Sequence, residues 1–191
     1  MKKSKLEAAE TRRRIVKAAA AEFRRNGIQS TGLSGIMATA GLTHGGFYRH
    51  FGSKEELIAE ACAAAMAASL AGTAKGSPDN GAGKKAVAAI LANYLSIDHR
   101  DNLAGGCVLA GLGSELARGD RKTRAASTAA FLKSVDVLAR HYRQTRPGAA
   151  RERALVVASA MIGALTMSRI VTDPKLSSAI LRSAKEHLNR I

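Results

Sequence analysis

GLTHGGFYRHFGSKEEL, residues 41 to 57, decides the reading of the chain. Gly41 stops a short helical pattern in which Leu33, Ile36, Met37 and Ala40 share one face. Thr43 then sits where an N-cap belongs, opening a very short third helix over His44 to His50. Ser53 followed by Glu56 is a capping-box signature for a fourth helix beginning at Lys54. Gly45 and Gly46 are poor helix formers, each costing about 1 kcal/mol against Ala, but they let a backbone approach another molecule closely. Tyr48, Arg49 and His50 add hydrogen-bond donors within one turn, and the Lys54 helix start offers free N–H groups to a phosphate.

Upstream, Val16, Ala19, Ala20 and Phe23 place one apolar face on a helix over Leu6 to Asn26, which Gly27 closes. Three short helices within about 50 residues, the second and third joined by a Gly-containing turn, form a helix-turn-helix head spanning about residues 33 to 52. In that layout the third helix enters the DNA major groove and presents its N-terminal residues to base edges. Gly32 is the N-cap expected for the second helix. It is acceptable there but weaker than Ser or Thr.

Downstream the pattern stays helical. The fourth helix is expected to run to about Ala71, and the stretch KGSPDNGAGK, residues 75 to 84, reads as a linker-like loop. Val87, Ile90, Leu91 and Tyr94 mark the next helix, and DHRDNLAGG, residues 98 to 106, reads as a break before a helix from Cys107 to Arg118. Phe131, Val135, Leu138 and Tyr142 mark another helix, ended by TRPGA. A nearly all-apolar helix follows from Arg151 to Val171, and a last one starts near Pro174, where proline suits a first turn. No β-alternation occurs. The expected fold class is all-α: a head over residues 1 to 53 and a helical body over 54 to 191, with about nine helices.

The charge is +15, from 30 Lys and Arg against 15 Asp and Glu, which favours a polyanionic partner. It does not locate one: residues 1 to 60 carry 11 basic and 6 acidic side chains, and the rest carry 19 and 9. The longest uncharged apolar stretch, Ala154 to Ser168, has 15 residues, short of the ~20 that cross a bilayer. The basic start leads into an amphipathic pattern instead of a signal peptide, so a cytoplasmic protein without membrane association is expected. Cys62 and Cys107 are too few for a disulfide framework or a zinc site, and His99, His141 and His187 lack metal-ligand spacing. No cofactor is expected. A helical enzyme is disfavoured because no paired carboxylates, P-loop or dinucleotide glycines occur at a usable spacing, and Ser114 in GLGSELA follows no strand. A basic membrane-surface bundle is the other rival.

With these residues in view, 41 to 57 resembles the recognition segment of tetracycline-repressor-type (TetR) regulators, and TRRRIVKAAAAEFRRNG, residues 11 to 27, resembles that family's first helix. The spacing through Ile36, Ala40, Gly41, Tyr48, Phe51, Lys54 and Leu57 agrees without a gap. The resemblance implies a repressor that binds a palindromic double-stranded DNA operator as a homodimer and is released by a small-molecule or electrophile inducer. It implies phosphate contacts from Thr43, Tyr48, His50 and Lys54, with His44, Gly45, Gly46 and Arg49 in the groove. Gly32 departs from the family's usual Ser or Thr, which moves a phosphate contact to Thr31 or Ser34 or removes it.

Tyr48 also packs part of its ring on the head in this reading, and Phe47 and Phe51 are core. The Arg12 to Lys17 run is a solvated face or a phosphate contact. Tyr94, Cys107, Phe131, Leu138, Tyr142 and Met161 are candidate pocket residues. Small and branched residues of the apolar helix, Leu155, Ala158, Ile162 and Leu165, with Ile180 of the last helix, are candidates for a dimer interface. Cys107 follows Gly105 and Gly106 at a helix start, where the macrodipole favours a thiolate. GGCVLAGLGSELA, residues 105 to 117, resembles the TetR subgroup that includes repressors of N-ethylmaleimide reductase operons. Cys107 therefore reads either as a buried inert thiol or as an electrophile sensor.

Overall fold

The computed structural model of the chain describes residues 5–75, 83–143 and 146–191, and their side chains except over 69–75. Among the described residues there is no strand. The head comprises α1 (Lys5–Asn26), α2 (Leu33–Thr39) and a 3-10 helix (His44–Arg49), followed by the long α3 (Lys54–Lys75). The body adds α4 (Lys84–Tyr94), α5 (Ile97–Asp101), α6 (Val108–Ala117), α7 (Arg121–Ala139), α8 (Ala149–Ile170) and α9 (Pro174–Leu188).

Local chemistry sets these boundaries. Gly27 takes φ +83°, and its N–H bonds the Phe23 carbonyl at 2.8 Å, which stops α1. Gly41 takes φ +66°; its N–H bonds Ala38 and that of Leu42 bonds Met37, at 2.9 and 2.8 Å, a Schellman ending for α2. At the start of α3 the Ser53 hydroxyl accepts the Glu56 N–H at 3.2 Å, while the Glu56 carboxylate reaches back to the Gly52 N–H at 2.8 Å. Asp120 caps α7 by accepting from Thr123, and Asp173 caps α9 ahead of Pro174.

Three expectations change. The third helix is a 3-10 turn, not an α-helix: Gly45 and Gly46 supply little helix propensity, and 3-10 geometry is used in such short pieces. The 98 to 106 segment is only partly loop, because the Ser96 hydroxyl accepts the His99 N–H at 3.1 Å and nucleates the five-residue α5. α7 begins at Arg121 under the Asp120 cap and ends at Ala139, short of Tyr142, which the apolar pattern places on the same helix. Most of the expected 75 to 84 loop, residues 76–82, lies outside the described residues.

Two apolar cores form. The first joins Phe23, Ile36, Phe47 and Phe51 of the head to Leu57 of α3 and to Val108, Leu112 and Leu116 of α6. The second joins Ile90, Leu91, Val135, Val157 and Leu165 of the body, and α6 reaches it through Cys107 and Ala110. The packing therefore runs unbroken past residue 53, and α6 borders both cores. Cys62 lies in the first core, where burial pushes its thiol up to about 11. α8 is long and apolar enough, by length and composition, to cross a membrane. It packs along α7 and α9, with Ala154, Val157 and Leu165 fully buried.

Candidate DNA-binding face and effector cavity

The 3-10 helix is held from beneath. Phe47 is fully buried, stacked on Phe51 at 5.5 Å, and meets the Tyr48 ring edge-on at 5.1 Å. Tyr48 itself is 67% exposed, so the ring is braced while its hydroxyl projects outward. Thr43, His44, Gly45 and Arg49 are also exposed, and Gly46 and His50 are half-buried. Gly45 lacks a positive φ, and a Cβ there would meet nothing within 4 Å. The fold itself does not demand glycine at that position.

Arg12 turns out to be a structural residue rather than a solvated one. Its guanidinium donates to Glu60 at 2.6 Å, to Glu56 at 2.7 Å and to the His50 carbonyl, and it lies 4.1 Å over the Phe51 ring. It thereby ties the end of the 3-10 helix to α1 and α3, and holds the Glu56 carboxyl below its ordinary range. Arg14 donates to the Ala40 carbonyl at 2.6 Å and steadies the end of α2. A run of four basic residues gives no sign of this, because Arg12's acidic partners lie 44 and 48 residues away.

The flanking candidates divide. Ser34 is exposed on α2. Thr31 is not on that face: it is 5% exposed and its hydroxyl donates to the Gly27 carbonyl at 2.5 Å, which corrects its assignment to DNA contact. Lys54 is half-buried, with Nζ donating to the Ile28 carbonyl at 3.2 Å.

In the body a cavity opens between α3, α4, α6, α7 and α8. Tyr94, Cys107, Leu138 and Met161 line it, together with Met66, Ile90 and Ser134. Phe131 packs against the second core without lining the cavity, and Tyr142 borders a different cleft with Lys84, Arg143 and Arg153. Helical periodicity puts Phe131 and Tyr142 on a face with Leu138 but cannot say which end of that face the cavity occupies.

The polar end of the cavity is braced by His99. Its Nε2 accepts the Cys107 N–H at 3.0 Å, so in the neutral ring Nδ1 carries the proton and donates to the Tyr94 carbonyl at 2.7 Å. Burial lowers the His99 pKa, and the nearby Arg169 lowers it further. Arg169 is half-buried and donates to the carbonyls of His99 and Arg100 at 2.8 and 2.9 Å. Cys107 is 8% exposed and is itself the N-cap residue of α6.

α6 links this cavity to the head. From the Cys107 end it runs to Glu115, whose carboxylate accepts the N–H groups of Ile28 and Gln29, each at 2.9 Å. Arg24 of α1 donates to the Ala104 carbonyl just before α6. Neither contact is visible to sequence reading, because each joins residues 80 or more apart.

On α8 the outward side chains are Leu155, Val156, Met167 and Ile170, and Leu176 is exposed on α9. Ile162 and Ile180 are half-buried. Ala158 and Leu165 are 4% and 0% exposed, packed inside the protomer, which removes them from the interface candidates.

Residues 15–61 match the family model for bacterial regulatory proteins of the tetR family. The head of the chain thus matches that family. The head is 41% identical over 58 residues to the HTH-type transcriptional regulator TtgR of Pseudomonas putida, covering 30% of this chain and 28% of that protein. To AcrR of Shigella flexneri it is 42% identical over 59 residues, covering 31% and 27%. The chain thus aligns with less than a third of the length of these curated relatives. The tetR fold extends over nearly all of it: a TetR transcriptional regulator from Chloroflexus aurantiacus superposes with a TM-score of 0.76 at 27% identity, covering 96% of this chain and 94% of that one. The reduced form of E. coli NemR superposes at 0.80 with 20% identity, covering 95% and 96%, a likeness of fold.

Proposed function

We propose that this chain is a tetR-family, sequence-specific DNA-binding transcriptional regulator, a soluble cytoplasmic homodimer that represses from a palindromic operator and is released by a small molecule. The observation that carries the DNA reading is the rigidly supported 3-10 helix, with Tyr48 67% exposed above a fully buried Phe47 and with His44, Gly45 and Arg49 outward beside it. That is the arrangement a groove-reading segment needs: short donors presented by a backbone that can come close to DNA. Thr43 and Tyr48 supply hydroxyls for phosphates at its edge, with Ser34 on the neighbouring helix. His44, Gly45, Gly46 and Arg49 face bases, and His50 and Lys54 flank them.

The exposed apolar side of α8 supports dimerisation. Val156 and Ile170 are 57% and 63% exposed, and contiguous apolar surface of this kind marks an interface. The body cavity is the effector site of this reading, with Tyr94, Cys107, Leu138 and Met161 on its wall. An effector that prefers a body conformation in which α6 has shifted lowers operator affinity by its differential affinity, typically 1–3 kcal/mol of coupling. The division into head and body is functional, with residues 1 to 53 reading DNA and 54 to 191 binding effector and partner.

Selection of bound DNA from a random pool tests the reading. The expected product is a palindrome whose half-sites lie one helical turn, or a multiple of it, apart. Recovery of unenriched sequence would discard the reading.

A further inference from the structure

Among the described residues the only buried side-chain polar atoms without a partner are the hydroxyls of Tyr94 and Tyr142, and the Tyr94 hydroxyl belongs to the wall of the body cavity. The Tyr94 ring is held edge-on against His99, with centroids 4.7 Å apart at 81°. His99 is in turn fixed at both nitrogens, so the phenol is locked in place. The Cys107 thiol stands beside it and offers at most the weak acceptance of a sulfur atom. Ser134, the other hydroxyl on the wall, already donates to the Ala130 carbonyl at 3.2 Å. Burial pushes the Tyr94 phenol well above its ordinary range, which keeps it a donor at every physiological pH.

A buried donor without an acceptor is unfavourable, and an acceptor brought by a ligand removes that penalty. Among the described residues no charged side chain lines the cavity; the rest of the wall is apolar, including Met66, Ile90, Leu138 and Met161. Arg169, a cation that acts on Tyr94, is committed to two backbone carbonyls and is not part of the wall, so among the described residues an ionised ligand group would be buried without a counter-ion. The free space is about 50 Å³, a third of the roughly 150 Å³ apolar void that holds benzene. A small occupant is therefore required, with Met66 and Met161 able to repack around something slightly larger.

We propose that the cavity takes a small, neutral, mostly apolar molecule whose one hydrogen-bond acceptor rests on the Tyr94 hydroxyl. This deepens the effector reading above and rests on it.

The test uses three small probes of one shape on the full chain: acetone, 2-methylpropene and acetate, titrated by amide chemical shifts into the wild type and Tyr94→Phe. In the wild type the ketone should bind roughly 2- to 12-fold tighter than the hydrocarbon, the net worth of one neutral hydrogen bond. In Tyr94→Phe that preference should vanish, and the carboxylate should leave the cavity amides unmoved in both. A carboxylate that binds as well as the ketone, a ketone preference that survives Tyr94→Phe, or no response at the cavity to any probe overturns the proposal. The wild-type comparison of ketone with hydrocarbon decides the matter even if the variant misfolds. DNA selection on the same preparation separates the two readings. Specific DNA binding without cavity binding removes the ligand class alone, whereas absence of specific DNA binding removes the regulator reading whatever the cavity does.

Discussion

Replacing Glu115 by alanine should loosen the head from the body by an amount that the structure lets one estimate. The carboxylate accepts two backbone N–H groups, those of Ile28 and Gln29, each at 2.9 Å. Ile28 is 4% exposed, so its N–H loses its acceptor with little access to water, at a cost of about 1–3 kcal/mol. Gln29 is exposed, and its N–H turns to solvent at little cost. Glu115 is itself half-buried, which screens the charge-assisted part and puts the net loss near the lower end, about 1–2 kcal/mol. With a urea m-value of roughly 2–3 kcal/mol per molar, the unfolding midpoint should fall by about 0.5 M. Glu115→Gln should fall by less, because its neutral amide oxygen can replace the single carboxylate oxygen that accepts both N–H groups. Because α6 also borders the effector cavity, Glu115→Ala should shrink the ratio of operator affinities without and with effector. A Glu115→Ala midpoint equal to that of the wild type would refute the claim that this carboxylate joins α6 to the head.

Two further outcomes follow from the body. His99 has a folded pKa below its usual 6.5, so the unfolded chain binds the proton first as pH falls. Its contribution to stability is complete above about pH 6.5 and lost as pH drops through the folded value. Melting curves from pH 7.5 to 5.5 should show a decline that His99→Gln flattens, distinct from the losses at lower pH due to Glu56, Asp101 and Asp120, whose pKa values are also lowered. An unchanged slope in His99→Gln would place that decline elsewhere. On α8, Val156→Glu should convert the dimer to monomer in sedimentation with little loss of protomer stability. Leu165→Ala should keep the dimer and cost about 2–5 kcal/mol, as a fully buried leucine does. The opposite pattern would mean that the outward side of α8 has been assigned wrongly.

The parts of this protein written in local sequence were legible before any coordinates. Gly27 and Gly41 end helices with the positive φ that glycine tolerates, and Ser53 with Glu56 opens α3. Longer-range features were not. Arg12 looks like any solvated arginine until Glu56, Glu60 and the His50 carbonyl are brought to it. α8 is apolar around its circumference, so periodicity could not separate Leu165, which faces inward, from Ile170, which faces out. Thr31 and Ser34 are equally plausible from spacing; only burial distinguishes the hydroxyl bonded to Gly27 from the exposed one. The cavity wall drew Tyr94, Cys107, Leu138 and Met161 from the sequence because large or polarisable residues on core faces border voids, but it missed Met66, which arrives from α3.

The central claim is that the braced 3-10 helix reads sequence rather than bulk charge. The direct measurement is the affinity of the full chain for its selected palindrome against a scrambled duplex of equal length, at ~150 mM salt by fluorescence anisotropy. The account predicts a ratio of at least about 10³ in favour of the palindrome, typical of specific operator recognition. Equal affinities that fall together as salt rises would show that the +15 charge alone binds DNA, and would contradict it.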